Sequence, residues 1–287
     1  MNDQAQSLRK LVDSSEHTSE TKVIAVVSGK GGVGKSNFSL NFAIGLSQTG
    51  KKVVLFDLDI GMANVDILIG SSAKYNVVDL IEHELTIWDI MEKGPENIDY
   101  IAGGSGLTKM FKLSPLKFER FLQQMEALYH LYDYIILDMG AGANEDSLQF
   151  ILAANEVIVI TTPEPTSITD AYAMMKHIHQ KERYKPCSIV VNRAFTEKEG
   201  ITTGQNLQRA SRRFLDKEAF VLGYIPDDVN VQKAVRKQGP FLILFPNSHS
   251  SKALKRIIEK FLGISSNNKE SSLSTFVSKL KRFLIER

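Results

Sequence analysis

Short apolar runs recur along the chain, and stretches with helical spacing separate them. The runs are apolar at successive positions, which is typical of strands buried on both faces of a parallel sheet. They lie at 23–27, 53–56, 134–137, 157–160, 188–191 and 220–223. Helical spacing is found, for example, at 37–48, 116–130 and 167–183. This alternation predicts an α/β fold with a doubly wound, mostly parallel sheet and helices on both faces.

Composition divides the chain into five parts. A short head, 1–12, precedes a polar stretch, 13–21, that is typical of a linker. The body, 22–262, carries all of the predicted strands. A second linker rich in Ser and Asn, 263–272, leads to a terminal segment, 273–287, with a helical pattern. We therefore expect one α/β domain with a short functional segment at each end.

Charge and cysteine content limit the classes of function. The 287 residues carry a formal net charge of +2, which is too close to balance to indicate a partner nucleic acid. Cys187 is the one cysteine, which excludes an internal disulfide and a cluster of thiolates for iron–sulfur or zinc. The first residues lack the pattern of a secretory signal, and no apolar run approaches the roughly 20 residues of a membrane span. We expect a cytoplasmic protein.

A glycine-rich segment carries the clearest chemistry. Residues 29–36 read G-x-x-x-x-G-K-S between a predicted strand and a predicted helix, which is the context of a phosphate-binding loop. Glycines let backbone N–H groups surround phosphate oxygens, and the helix presents its positive end. Lys35 supplies a charge to the β and γ phosphates, and Ser36 offers a hydroxyl to Mg²⁺. The expected nucleotide contacts are Gly29, Lys30, Gly31, Gly32, Val33, Gly34, Lys35, Ser36 and Asn37.

The same loop contains an additional lysine, Lys30. The segment 30–36, KGGVGKS, resembles the signature of the MinD/ParA family of ATPases. The resemblance implies slow ATP hydrolysis with Mg²⁺, ADP as the product, and a homodimer that forms with ATP. It also implies that Lys30 reaches the phosphates of the partner subunit and stabilises transition-state charge there, as an arginine finger does elsewhere.

Acidic residues follow two of the predicted strands. Asp57 and Asp59 alternate, so their side chains share one face of an extended chain, and Asp138 closes a strand as a Walker B carboxylate does. The segment 57–66 resembles switch I of the MinD branch. The resemblance implies that Asp59 positions the attacking water and that Asp138 is the switch II carboxylate. Together with Ser36, Asp57 and Asp138 are the expected metal residues.

The expected base contacts follow later strands. The chain has no Asn-Lys-x-Asp reader of guanine at 191–194. MinD-like proteins place an asparagine at this strand end, which implies that Asn192, with Arg193, contacts adenine. Pro226 and Asp227 resemble the second base-contacting loop of the family.

The terminal segment has one apolar helical face. Its residues are Leu273, Phe276, Val277, Leu280, Phe283 and Leu284. Basic residues lie mainly on the other faces, and a basic amphipathic helix after a polar linker is typical of a membrane-surface anchor. The expected partner is therefore anionic lipid at the inner face of the cell membrane, with stronger binding by a dimer that carries two copies. A last helix docked on the body is the alternative.

The head resembles the D-Q-A-x-x-L-R segment of the FlhG branch of the family, the flagellar-number ATPases. The matching residues are Asp3, Gln4, Ala5, Leu8 and Arg9. The resemblance implies that this segment docks on FlhF, a signal-recognition-type GTPase, and stimulates GTP hydrolysis there, with Gln4 nearest the nucleotide. It also points to components of the flagellar C-ring as further partners.

Two other functions fit the same body. A MinD-type division-site regulator would share the body and the tail but not the head. A ParA-like DNA-partition ATPase would need a basic surface stripe and salt-sensitive DNA affinity. Lys233, Arg236 and Lys237 could contribute to such a stripe, although a solvated helix face explains them as well. The main expectation is a MinD-like ATPase that dimerises on the membrane and regulates flagellar number or placement.

Overall fold

The computed structural model describes residues 20–59, 64–83, 85–103, 115–142, 145–265 and 273–285. The strands of this part are β1 (Lys22–Val27), β2 (Val53–Leu58), β3 (Met91–Lys93), β4 (Asp99–Ile101), β5 (Tyr134–Met139), β6 (Glu156–Thr161), β7 (Cys187–Ala194) and β8 (Phe220–Pro226). The helices are α1 (Lys35–Gln48), α2 (Asn64–Ile69), α3 (Val77–Glu82), α4 (Ile87–Ile90), α5 (Pro115–Glu126), α6 (Glu145–Ala153), α7 (Pro165–Lys181), α8 (Glu197–Leu215), α9 (Val229–Arg236), α10 (Phe241–Leu244), α11 (His249–Ser265) and α12 (Leu273–Ile285).

The described strands form one sheet in the order β3-β4-β2-β5-β1-β6-β7-β8. Every pairing is parallel except that between β3 and β4. The predicted strands all occur, with ends that lie at most about three residues beyond the predicted ones. The predicted fold class is therefore confirmed. The sequence did not predict β3 and β4, which are short and half polar.

Side chains of the strands alternate between two hydrophobic cores, because successive Cβ atoms point to opposite faces of a sheet. In β1, Val23 and Ala25 belong to one core, and Ile24 and Val26 belong to the other. The first core is covered by α5, α6, α7, α8 and α12, and the second by α1, α10 and α11. Burial on both faces explains why these strands are continuous apolar runs.

The phosphate loop leads directly into α1. Gly34 is the N-cap of this helix and has a left-handed φ of 90°, which glycine adopts without strain. Phe38 and Phe42 of α1 stack with ring centroids 5.2 Å apart. Phe42 also meets Phe261 of α11 edge-on at 5.2 Å. This packing fixes the start of α1 at the carboxyl end of β1.

Helix α11 extends past the predicted start of the second linker. Helix α11 continues to Ser265, through Gly263, so the first three residues of the predicted linker are helical, and the predicted division into body and linker stays a prediction. The reason is that the apolar spacing of this helix continues past the glycine, with Ile264 packed against the second core.

Helix α12 is docked on the body. Leu273, Phe276, Val277 and Leu280 are at most 2% exposed and belong to the same core as α5 and α6. The ring of Phe276 lies 6.3 Å from that of Phe150 in α6. The apolar face was predicted correctly, but the body covers it in this structure, so the docked alternative describes the arrangement observed.

Phe283 and Leu284 are the other two residues of the predicted apolar face. Phe283 is partly buried against the same core, and the side chain of Leu284 lies outside the described part. Within the described residues, no helix combines the length and the apolar character that crossing a membrane requires.

We predict that Phe261→Ala lowers the free energy of unfolding by about 3–5 kcal/mol, because it removes a buried ring and leaves a cavity. Phe261 is 1% exposed, and its ring also lies 5.8 Å from that of Tyr134. Urea denaturation followed by circular dichroism measures the change. Phe214→Ala on α8, where the side chain is 66% exposed, is the matched control and should cost about 1 kcal/mol or less. Equal losses in the two variants would contradict this account of the core.

Candidate functional site

The loops of the site meet at the carboxyl edge of the parallel strands. The phosphate loop follows β1, and Asp57 and Asp138 lie near the ends of the neighbouring strands β2 and β5. Asn192 lies near the end of β7, and Asp227 follows β8. Open α/β sheets bind ligands at this edge, so the topology brings the predicted site residues to one place.

A buried ion pair lies at the centre of this site. Lys35 Nζ is 2.7 Å from Asp138 Oδ1, and the two side chains are 6% and 0% exposed. Ser39 Oγ donates to the same Asp138 oxygen at 2.8 Å. Sequence reasoning missed Ser39. Its position one helical turn after Lys35 was the only signal, because residues four apart share a helix face.

The oxygen atoms near the ion pair fit a hydrated Mg²⁺. Asp138 Oδ2 is buried and accepts no hydrogen bond from the described residues. Ser36 is the second residue of α1, and its hydroxyl lies 3.4 Å from Lys35 Nζ. A carboxylate and a hydroxyl beside a phosphate loop are ligands that Mg²⁺ prefers when it keeps several of its waters.

The hydrogen bonds of the Asp57 carboxylate come from backbone N–H groups. Its two carboxylate oxygens accept the N–H groups of Asp59 and Val65, each at 3.1 Å. Burial and the neighbouring charge of Asp138 raise the pKa of Asp57 to about 7. These contacts join the two ends of switch I, whose residues 60–63 lie outside the described part. The role of Asp57 in the metal shell stays a prediction, and the contacts observed are those of a loop anchor.

Asp59 lies beside the same segment. Its Oδ2 accepts a hydrogen bond from Asn64 Nδ2 at 2.8 Å, and the residue is partly exposed. The carboxylate therefore connects the end of β2 to the start of α2. Its role in orienting the attacking water also stays a prediction.

Lys30 contacts residues at the start of α7. Its Nζ lies 3.1 Å from Glu164 Oε2 and 3.3 Å from Thr166 Oγ1. The Lys30 and Glu164 side chains are 43% and 61% exposed, so solvent screens the pair and it contributes little stability. The sequence had not indicated Glu164 or Thr166 as partners of this lysine.

A cavity of about 740 Å³ lies beside the phosphate loop. The predicted residues among its lining are Gly34, Asn37, Asn192, Arg193, Pro226 and Asp227. The structure therefore brings the four predicted base contacts together with the loop. A cavity of this size suits a small ligand such as a nucleotide.

Asn192 joins this cavity to the phosphate loop. Its Nδ2 donates to the carbonyl oxygen of Val33 at 2.8 Å. A Cβ atom on Gly34 would lie 2.5 Å from the same nitrogen, so the close approach requires glycine. Sequence reasoning assigned Asn192 to the base alone and did not predict this contact.

The head residues Asp3, Gln4, Ala5, Leu8 and Arg9 lie outside the described part of the chain. Their predicted docking on a partner GTPase is therefore still a prediction.

Comparisons with known proteins give a consistent result. The ParA family model, described as an NUBPL iron-transfer P-loop NTPase, matches residues 19–262. The chain is 37% identical over 239 residues to the antiactivator FleN of Pseudomonas aeruginosa, covering 83% of this chain and 85% of FleN. It is 33% identical to the flagellum site-determining protein YlxH of Helicobacter pylori, covering 90% of this chain and 89% of YlxH.

A solved structure supports the same fold. The septum site-determining protein MinD of Pyrococcus horikoshii, complexed with Mg-ADP, aligns with a TM-score of 0.69 at 21% identity. The alignment covers 88% of this chain and 100% of that one. The matched family range contains the phosphate loop, the carboxylates and the base cavity. From the site and these similarities together, the chain belongs to the MinD/ParA family of P-loop ATPases.

Proposed function

We propose that this ATPase is a nucleotide-driven switch that sets the number or placement of flagella. The observation that carries the proposal is the similarity to a flagellum site-determining protein over 90% of the chain. The head, which resembles the FlhF-docking segment of the FlhG branch, supports it. In this proposal the ATP-bound form is a homodimer on the membrane, and hydrolysis returns it to monomers.

Dimerisation is proposed to act through Lys30. In the chain as described, this lysine is held by Glu164 and Thr166. On dimerisation it would exchange these partners for the phosphates of the other subunit. An exposed ion pair is worth about 0–1 kcal/mol, so Glu164 holds Lys30 in place without trapping it.

Hydrolysis is proposed to rest on positioning and on charge stabilisation. Lys35 would leave Asp138 for the phosphates, and Ser36 and Asp138 would hold Mg²⁺. When bound, Mg²⁺ neutralises charge that develops on the phosphate oxygens. Asp59 orients the attacking water, and Lys30 of the second subunit completes the site.

We predict that Lys35→Ala abolishes dimerisation with ATP, because it removes the charge that holds the β and γ phosphates. Asp59→Ala should trap the dimer with ATP, because binding is intact and hydrolysis is blocked. Size-exclusion chromatography with light scattering measures both. Asp216→Asn, which removes the charge of the exposed pair with Arg183 and suits the left-handed φ of 49° at this position, is the control and should dimerise as the parent does. A monomeric Asp59→Ala protein in ATP would count against the role assigned to this carboxylate.

Membrane attachment is proposed to act through release of α12. The helix cannot present its apolar face to lipid while that face packs on α5 and α6. Lys279 and Lys281 pair with Glu182 and Glu126 at 2.9 and 3.1 Å, but these pairs are partly exposed and add little to docking. The free energy of docking therefore comes mainly from the buried apolar face.

Helix α7 is proposed to connect the nucleotide to α12. Glu164 and Thr166, the partners of Lys30, lie at its start, and Glu182, the partner of Lys279, directly follows its last residue. Its 17 residues span roughly 25 Å. Movement of this one helix, when Lys30 leaves Glu164, would reach both sites.

A buried lysine is proposed to make the docking of α12 on the body sensitive to pH. Lys185 is 3% exposed, and its Nζ donates to the carbonyl oxygen of Ala154 at 2.5 Å. Burial, followed by the like charges of Lys279 and Lys217, lowers the pKa of Lys185 to about 7, although Glu182 opposes the shift. Release of α12 removes Lys279 and opens the site, so the pKa should rise towards its ordinary value of 10.5.

We predict that α12 docks less tightly as the pH falls from about 10 to about 7. Across this range Lys185 is neutral in the docked form and charged in the released form. The docking constant therefore falls by up to about tenfold for each unit by which the pH is lowered. Below about pH 7 Lys185 is charged in both forms, and the docking constant no longer changes. Exchange-sensitive methyl NMR of Val277 and Leu280 in the full chain measures the docked-to-released ratio.

Two variants test the assignment to Lys185. Lys185→Met should remove the pH dependence of docking. Lys281→Met, which breaks the partly exposed pair between α12 and Glu126, should keep that pH dependence. A docked-to-released ratio in the parent that is the same at about pH 7 and about pH 9.5 would rule the mechanism out.

The flagellar function is tested through the head. We predict that a synthetic peptide of residues 1–20 stimulates GTP hydrolysis by purified FlhF, because a glutamine can orient an attacking water. The Gln4→Ala peptide should not stimulate, and a peptide with residues 2–12 in scrambled order is the control. If the peptide and the full chain with ATP are both inert, the pathway is not this one, and a role in division or DNA partition becomes the better proposal.

A further inference from the structure

Ser39 is a buried hydroxyl on the site side of α1. Its side chain is fully buried, and its Oγ lies 3.1 Å from the Lys35 carbonyl oxygen and 2.8 Å from Asp138 Oδ1. A serine inside a helix commonly donates to the carbonyl four residues earlier. The shorter contact with the carboxylate is charge-assisted and therefore the stronger of the two. Ser39 thus connects α1 to the Walker B strand, β5.

The hydrogen bond from Ser39 to Asp138 is important because Lys35 pairs with Asp138 here but would bind the phosphates of a nucleotide. In the structure, Asp138 Oδ1 accepts hydrogen bonds from both Lys35 and Ser39. The phosphates of a nucleotide require the same ammonium group that Asp138 holds. When Lys35 moves to the phosphates, Asp138 loses one of its two donors, and a buried carboxylate with too few donors is unstable or reorients.

We propose that Ser39 is a positioning residue that keeps Asp138 in its metal-binding orientation while Lys35 moves to the phosphates. Ser39 fixes Oδ1, so the other oxygen, Oδ2, stays directed towards the metal shell. The inference rests on the proposed role of Asp138 at Mg²⁺. Ser39 acts through Asp138 alone, and no contact of its own with the nucleotide is invoked.

The test separates metal binding from nucleotide binding. ADP affinity is measured by calorimetry on the full chain, once with Mg²⁺ and once with EDTA, and the ratio of the two affinities gives the gain due to Mg²⁺. Ser39→Ala should reduce this gain about tenfold, as expected for loss of a hydrogen bond to a charged group. The affinity in EDTA should fall less than the affinity with Mg²⁺, because only the affinity with Mg²⁺ depends on the orientation of Asp138 Oδ2.

Three further variants define the role. Ser39→Thr keeps the hydroxyl and should restore most of the gain. Ser39→Cys has nearly the same shape but donates weakly, so it should lose part of the gain and provides a second test if the alanine variant is unstable. Ser47→Ala is the matched control on the same helix, because its hydroxyl donates to the Glu96 carbonyl at a partly exposed position.

Different failures have different meanings. If Ser39→Ala weakens ADP binding equally with Mg²⁺ and with EDTA, the serine only supports the fold of the loop and the proposal is wrong. An unchanged gain would also overturn it. A parent protein whose ADP affinity does not depend on Mg²⁺ would instead remove the metal role of Asp138, and the role of Ser39 with it.

Discussion

The buried pair of Lys35 and Asp138 is the interaction on which the site depends. Moving two charges out of water is unfavourable by several kcal/mol each unless they are paired, and here the two side chains are 6% and 0% exposed. In the proposed mechanism each group also has a ligand of its own, since the phosphates would attract Lys35 and Mg²⁺ would attract Asp138. Binding only one of the two ligands would leave the other charge buried without its partner. The pair therefore favours binding of nucleotide and metal together.

Much of the fold was predictable because its signals are local. A strand covered on both faces must be apolar at every position, and the phosphate loop must carry glycines and a lysine at fixed spacing. Strands β3 and β4 gave no such signal, because each has three residues and β3 carries Glu92 and Lys93. Their pairing depends on β2 being present as a neighbour, which no local pattern contains.

The finer contacts of the site were not predictable for the same reason. Ser39, Glu164 and the Asn192 amide meet their partners across about 99 to 159 residues of chain. Sequence reasoning could place Asp57 beside Asp59, but not show that its carboxylate accepts the N–H groups at both ends of switch I. That contact exists because the Val65 N–H group lies beside the end of β2. Residue type and spacing gave the chemistry, and the fold decided which groups meet.

The terminal helix shows the limit of an amphipathic pattern. Its spacing requires that one face be covered, but the covering surface lies on α5 and α6, far away in the sequence. In this structure Phe276 and Leu280 are fully buried there. The same side chains cannot pack on the body and on lipid at once, so docking and membrane binding exclude each other. In the proposed switch, membrane affinity is therefore reduced by the free energy of docking, and any event that weakens docking of α12 would raise that affinity by the same factor.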